Sequence, residues 1–181
     1  MKKTIVGLTG AAGSGKSTLA VALACEPAIK AAFSGVYCMR FAEELKRIAR
    51  EEMGWDGEKD ERGRRLLQVL GTECGRAYNP NIWIDKLMAR IDDITDEGPT
   101  LILIDDMRFD NEAQAVRSRG GKVVLLENRA YDLKENATHS SELGVSDSLI
   151  DFKFDSSHPA KSKEFQDSVT ALAKIIFYYL A

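Results

Sequence analysis

The chain has 181 residues, 44% of them hydrophobic and 29% charged, and a formal charge of −3. That length suits one domain, and the composition excludes a collagen-like chain, a disordered chain and a disulfide miniprotein. A net-negative chain of this size is a poor binder of duplex nucleic acid, whose capture depends on neutralising phosphates, so no nucleic-acid polymer is expected as a partner.

Met1-Lys2-Lys3 followed by Ile5 to Thr9 has the outline of a signal peptide. Its apolar part is too short, and it runs straight into a glycine-rich turn. We read Thr4 to Thr9 as a buried strand. A helix is predicted over Gly15 to Ala32, a second strand over Val36 to Phe41, and a helix over Ala42 to Met53 with Leu45, Ile48 and Ala49 at helical spacing. Gly54 to Gly63 reads as a charged loop. Two helices follow, Arg64 to Tyr78 and Asn81 to Ile94. Thr100 to Asp105 is an apolar third strand, Asn111 to Arg119 a helix closed by Gly120-Gly121, and Lys122 to Glu127 a fourth strand. Asn128 to Glu142 is polar. Leu149 to Phe154 reads as a fifth strand. Lys161 to Leu180 is a final helix with Phe165, Val169, Leu172, Ile176 and Tyr179 along one stripe. Continuous apolar strands between helices indicate an α/β fold, a parallel sheet covered on both faces, with the first strand central.

Three cysteines, Cys25, Cys38 and Cys74, with no CxxC spacing suggest neither a disulfide framework nor a cysteine zinc site. No apolar run approaches the ~20 residues that span a bilayer. A reducing, cytoplasmic setting is expected, with no membrane partner. The apolar end Ile175 to Leu180 is left to pack on the sheet or on a second subunit as a homodimer.

Gly10-Ala11-Ala12-Gly13-Ser14-Gly15-Lys16-Ser17 fits GxxxxGK[ST] completely, after a strand and before a helix. Glycines let backbone N–H groups turn inward around a polyphosphate. The helix N-terminus adds partial positive charge. Gly10, Ala12, Gly13, Ser14, Gly15, Lys16, Ser17 and Thr18 are therefore the expected ATP-binding residues, with Lys16 reaching the β- and γ-phosphates and Ser17 offering a hydroxyl to Mg2+. The pattern points to nucleotide binding without naming the reaction.

The third strand ends in Asp105-Asp106, where a protein with this loop holds its Mg2+ shell. If the strand persists the two point opposite ways, so one faces the phosphates; Asp106 is the expected metal carboxylate. Arg108 is placed to grip an acceptor phosphate with a bidentate fork, the plain alternative being a salt bridge to Asp110 or Glu112. After the fourth strand, a polar stretch with Arg129 and Thr138-His139-Ser140-Ser141-Glu142 is placed to close over the phosphates and exclude water. There Arg129 would neutralise charge on the transferred group. At the end of the second strand, Phe41 is placed to stack on a base and Arg40 or Lys46 to meet a monophosphate, with a core position as the alternative for Phe41. Leu70-Gly71-Thr72-Glu73-Cys74-Gly75-Arg76 is unusual for a helix, since each glycine costs about 1 kcal/mol against alanine.

Together these residues resemble the bacteriophage-type deoxynucleoside monophosphate kinases. The resemblance rests on the glycine-rich loop, Phe41-Ala42 with Leu45-Lys46, Leu70-Gly71-Thr72-Glu73 with Gly75-Arg76, and Trp83. It continues through Asp106-Met107-Arg108-Phe109 with Asn111-Glu112-Ala113, and His139 with Ser141-Glu142. It implies a three-layer P-loop kinase fold with a five-stranded parallel sheet of order 2-3-1-4-5. It implies transfer of the ATP γ-phosphoryl group to a deoxynucleoside 5′-monophosphate with Mg2+, in one domain spanning 1–181. Residues 42–98 would be a helical acceptor-binding insertion and 128–146 a lid. Lys16, Arg108 and Arg129 would be catalytic. Arg40, Phe41, Lys46, Glu73, Arg76, Trp83, Asp106, Arg108, His139 and Glu142 would bind substrate. A phage origin would place the protein in the host cytoplasm. One departure is Asp155, where related kinases often show Asn. Phosphomevalonate kinase of the animal type and dephospho-coenzyme A kinase share the plan, and a P-loop switch or assembly ATPase is the reading from another class.

Overall fold

The computed structural model describes residues 2–127 and 144–180. Among these, β1 (Lys3–Thr9), β2 (Gly35–Met39), β3 (Thr100–Ile104), β4 (Lys122–Glu127) and β5 (Phe152–Asp155) form one parallel sheet in the order β2-β3-β1-β4-β5. The predicted sheet and its central first strand stand. Register runs from Lys3↔Thr100 to Gly7↔Ile104 on one side of β1 and from Val6↔Lys122 to Thr9↔Leu125 on the other.

Alternation sends strand side chains to two faces. Val6, Leu8, Leu101, Leu103, Val124, Leu126 and Phe154 point to one face. There they pack with Leu19 and Leu23 of α1 (Lys16–Cys25), Ile29 of α2 (Pro27–Ala32), and Phe165, Val169, Leu172 and Ile176 of α7 (Lys163–Leu180). The Tyr179 side chain of the predicted stripe lies outside the described part. On the other face α6 (Asp110–Ser118) buries Ala113 and Val116, and Met107 and Val116 occupy the space that the missing Gly7 side chain leaves.

The chain clusters into two compact units, residues 40–94 and the remainder. The first contains α3 (Ala42–Glu51), α4 (Glu61–Gln68), a π-helix (Val69–Arg76) and α5 (Ile82–Asp92). In it, Glu43 and Glu44 of α3 pair with Arg90 (2.8 Å) and Lys86 (3.7 Å) of α5.

Three predicted elements are corrected. The helix expected over Gly15 to Ala32 breaks at Glu26, which is extended at φ −62°, ψ 126°, because Pro27 excludes the residue before it from the helical region. The helix expected over Arg64 to Tyr78 starts earlier, with the Asp60 carboxylate accepting the Gly63 N–H at 2.7 Å as N-cap, and then widens into the π-helix. The fifth strand begins at Phe152 rather than Leu149. Residues Asp147–Leu149 wind into a 3-10 turn, and the Asp151 carboxylate takes the Val123 N–H at 2.9 Å.

Candidate active site

The carboxyl end of β1 opens into the loop Gly10–Gly15, and α1 starts at Lys16. Gly10, Gly13 and Gly15 sit at φ +139°, +83° and +94°, a region that side chains disfavour. A Cβ on Gly10 would also stand 2.6 Å from the Leu126 carbonyl oxygen. Gly15 is the N-cap of α1; among the described residues no side chain caps the helix, and no acidic residue lies in its first turn. A helix start of this kind, with its amides and dipole, favours an anion.

Lys16 curls over this loop. Its Nζ donates to the carbonyls of Gly10 and Ala11, each at 2.7 Å, and to Ser14 Oγ at 3.4 Å. The Lys16 pKa is lowered from 10.5 to about 8, first by burial and then by the Arg108 charge, while Asp105 and Asp106 pull it upward. One ammonium thus feels the Asp105, Asp106 and Arg108 side chains together. Ser17 and Thr18 are exposed on the first turn of α1. Thr9, the last residue of β1, is 1% exposed, and its hydroxyl is without a hydrogen-bond partner among the described residues.

β3 ends at Ile104, so the alternation expected through Asp106 stops before the two carboxylates. Asp105 is 4% exposed and acts on Lys16 more strongly than the half-buried Asp106. The Arg108 side chain is exposed and makes no ion pair with Asp110 or Glu112, because both carboxylates are engaged elsewhere. Asp110 accepts from Ser146 N (2.7 Å) and Oγ (2.6 Å), which holds its carboxyl below the usual range. Glu112 accepts the main-chain N–H groups of Arg108 and Phe109. At the end of β5, Asp155 accepts the Ser157 N–H at 2.9 Å. Ser156, next in the chain, has its Cβ 4.0 Å from where a Gly15 side chain would begin.

An all-oxygen set of the Ser17 hydroxyl and one or two carboxylates suits a hard divalent cation that takes its other ligands from phosphates and water. No cluster of three or more metal-binding side chains occurs among the described residues, and such a cation does not require one.

In the unit 40–94, the π-helix carries Glu73 and Arg76. Glu73 pairs with Arg65 at 2.5 Å, and Arg76 donates to the Pro80 carbonyl at 3.5 Å. Gly71 and Gly75 exist for packing. A Cβ on the first would press on Leu45 at 2.9 Å and on the second on the Trp83 ring at 2.8 Å. The Trp83 indole N–H donates to the Gly71 carbonyl at 2.9 Å. π-segments of this kind recur at functional sites. Arg40 is exposed and Lys46 half-buried. Phe41 and Trp83 are 3% and 4% exposed, so both rings are packed within the protein. Arg129, His139, Glu142 and the predicted lid up to residue 143 lie outside the described residues.

In the sequence Glu112 stands out only as a salt-bridge alternative for Arg108 and as part of the Asn111-Glu112-Ala113 resemblance, not as the acceptor of the Arg108 and Phe109 N–H groups. The signal for Glu112 was its place three residues after Phe109, the spacing of a capping glutamate.

A family model described as deoxynucleotide monophosphate kinase matches residues 34–152, more than half of the chain. The chain belongs to the deoxynucleotide monophosphate kinase family. It is a phosphotransferase, a nucleotide kinase. Among solved structures, the kinase is similar to shikimate kinase from Aquifex aeolicus vf5, with a TM-score of 0.54 and 16% identity over 98% of this chain and 100% of that one. At that identity the likeness speaks to the fold. An APS kinase of Mycobacterium tuberculosis matches with a TM-score of 0.41 and 14% identity, over 99% of this chain and 97% of that one. No curated protein matches the chain. No described helix is long and apolar enough to cross a membrane.

Proposed function

We propose that the kinase transfers the γ-phosphoryl group of ATP, with Mg2+, to a deoxynucleoside 5′-monophosphate, giving the deoxynucleoside diphosphate and ADP. The observation that carries this reading is the parallel register Gly7↔Ile104, which brings the phosphate-binding loop and the Asp105–Arg108 turn out at the same end of the sheet, in a chain of this family. A complete phosphate-binding loop thereby stands beside two carboxylates and an arginine at one sheet edge, where α/β folds bind ligands.

In this reading the loop amides from Gly10 to Thr18 wrap the ATP phosphates, and Lys16 leaves the Gly10 and Ala11 carbonyls for the β- and γ-phosphates. Ser17 with Asp105 and Asp106 would hold Mg2+, which supplies charge neutralisation between the β- and γ-phosphates when bound. The acceptor phosphate oxygen attacks the γ-phosphorus as the bond to the β–γ bridging oxygen breaks. That oxygen already carries charge, so no general base is required. The protein's part is positioning and electrostatics. Arg108 grips the phosphates at the reacting end, and Arg129 adds charge there. Arg40, Lys46, Glu73 and Arg76 serve the acceptor, with His139 and Glu142 as further substrate contacts. Residues 40–94 form the acceptor unit.

The test is ADP release coupled to a colour reaction, with ATP, Mg2+ and each of the four deoxynucleoside monophosphates. Phosphomevalonate serves as the competing acceptor, and a mixture without acceptor reports plain hydrolysis. Turnover confined to monophosphates supports the reading, and turnover of phosphomevalonate alone or ATP hydrolysis alone rejects it.

A further inference from the structure

Glu112 is a carboxylate 2% exposed on α6, yet it takes no part in the proposed chemistry. One of its oxygens accepts the Arg108 main-chain N–H at 2.7 Å and the Phe109 N–H at 3.1 Å. A glutamate at the third helical position commonly reaches back to the N-cap N–H, which here is that of Phe109. The shorter bond goes one residue further, to Arg108. Charged acceptors make the stronger hydrogen bonds to amides, and α6 is held under the sheet by Ala113 and Val116, both fully buried. The turn carrying Arg108 is therefore clamped at its main chain, while the Arg108 guanidinium is exposed and makes no ion pair among the described residues.

We propose that Glu112 is a positioning residue for phosphoryl transfer: by holding the Arg108 main chain it sets where the Arg108 guanidinium stands beside the phosphate-binding loop. This rests on the reading of Arg108 as a group that acts on the phosphates. Removal of a carboxylate that merely capped α6 would lower stability, and by the same amount with or without the Arg108 side chain. A positioning carboxylate works through that side chain, and its removal matters only when the side chain is present.

The experiment is a double-mutant cycle of Glu112→Ala and Arg108→Ala, with Glu112→Gln as the conservative variant, using the best deoxynucleoside monophosphate of the panel. A misplacement of about 1 Å at a reacting centre costs up to about a hundredfold, so Glu112→Ala should lower kcat/KM for the acceptor about 10- to 100-fold. KM for ATP should stay within about threefold. Glu112→Gln keeps an oxygen for both amides and should stay within about threefold of the parent. In the Arg108→Ala background, Glu112→Ala should add less than about twofold. An undiminished penalty in that background, or parent-like turnover by Glu112→Ala, would overturn the proposal. If Glu112→Ala does not fold by circular dichroism, Glu112→Asp is read in the same way, since it keeps the charge and falls one methylene short. A parent that phosphorylates no monophosphate rejects the substrate class alone. The role of Glu112 is then decided by crystal structures of the parent and the Ala or Asp variant. An Arg108 guanidinium displaced by more than about 1 Å supports it, and an unmoved one overturns it.

Discussion

The Lys16 ammonium donates to the Gly10 carbonyl at 2.7 Å, folding the key cation of the loop back onto the loop's own first residue. Burial and the Arg108 charge lower its pKa to about 8, against the pull of Asp105 and Asp106. Nucleotide phosphates would raise it again, since an opposite charge favours the protonated form. Below about pH 8 Lys16 is charged in both free and ATP-bound kinase, and affinity should be flat. Above it the free kinase loses the proton and binding must take one up, so Kd should rise toward about tenfold per pH unit. Calorimetric titration with ATP at pH 7 and pH 9, in two buffers of different ionisation enthalpy, should show proton uptake near zero and near one. For the free protein the unfolded chain binds the extra proton between about 8 and 10.5. This group therefore makes stability rise with pH across that window.

Arg108→Ala should lower kcat/KM for the acceptor by about 10²–10³, the range for removing one preorganised charge from a phosphoryl-transfer site. ATP binding should change by less than about threefold, because the loop amides and Lys16 remain. Steady-state kinetics with ATP and acceptor varied separately would show the split.

Thr9→Val replaces a buried hydroxyl that lacks a partner among the described residues with a methyl of the same shape. A buried group left unsatisfied costs about 1–3 kcal/mol, so the variant should melt about 2–12 °C above the parent without nucleotide. Differential scanning calorimetry reads this directly, and a lower Tm would show that the hydroxyl is satisfied.

Gly75→Ala forces a methyl to within 2.8 Å of the Trp83 ring and 2.9 Å of the Leu70 carbonyl. Overpacking of this kind costs about 1–3 kcal/mol. The loss should appear in urea unfolding and as a raised acceptor KM, with KM for ATP unchanged, because the strain falls within residues 40–94.

The phosphate-binding loop was legible in the sequence because backbone conformation and ligand chemistry there dictate residue types locally. Strands β1, β3 and β4 were legible because each buries a continuous apolar run. The π-helix is not, since its close contacts, Gly71 against Leu45 and Gly75 against Trp83, lie outside the segment. The start of β5 is not legible because Asp147–Leu149 wind into a 3-10 turn, and at Asp151 the carboxylate takes the place of a strand carbonyl as acceptor of the Val123 N–H, while the Asp151 N–H still donates to the Val123 carbonyl. The sequence leaves the choice between Asp105 and Asp106 open, because strand alternation ends at Ile104, before either carboxylate. The capping role of Glu112 is not legible, because its N-cap, Phe109, is not a residue type that announces one.

The most direct measurement is the formation of deoxynucleoside diphosphate from each of the four monophosphates with ATP and Mg2+, resolved by chromatography. The account predicts that at least one is phosphorylated, with turnover that collapses when Mg2+ is chelated and in Arg108→Ala. ATP consumption without any deoxynucleoside diphosphate would contradict it.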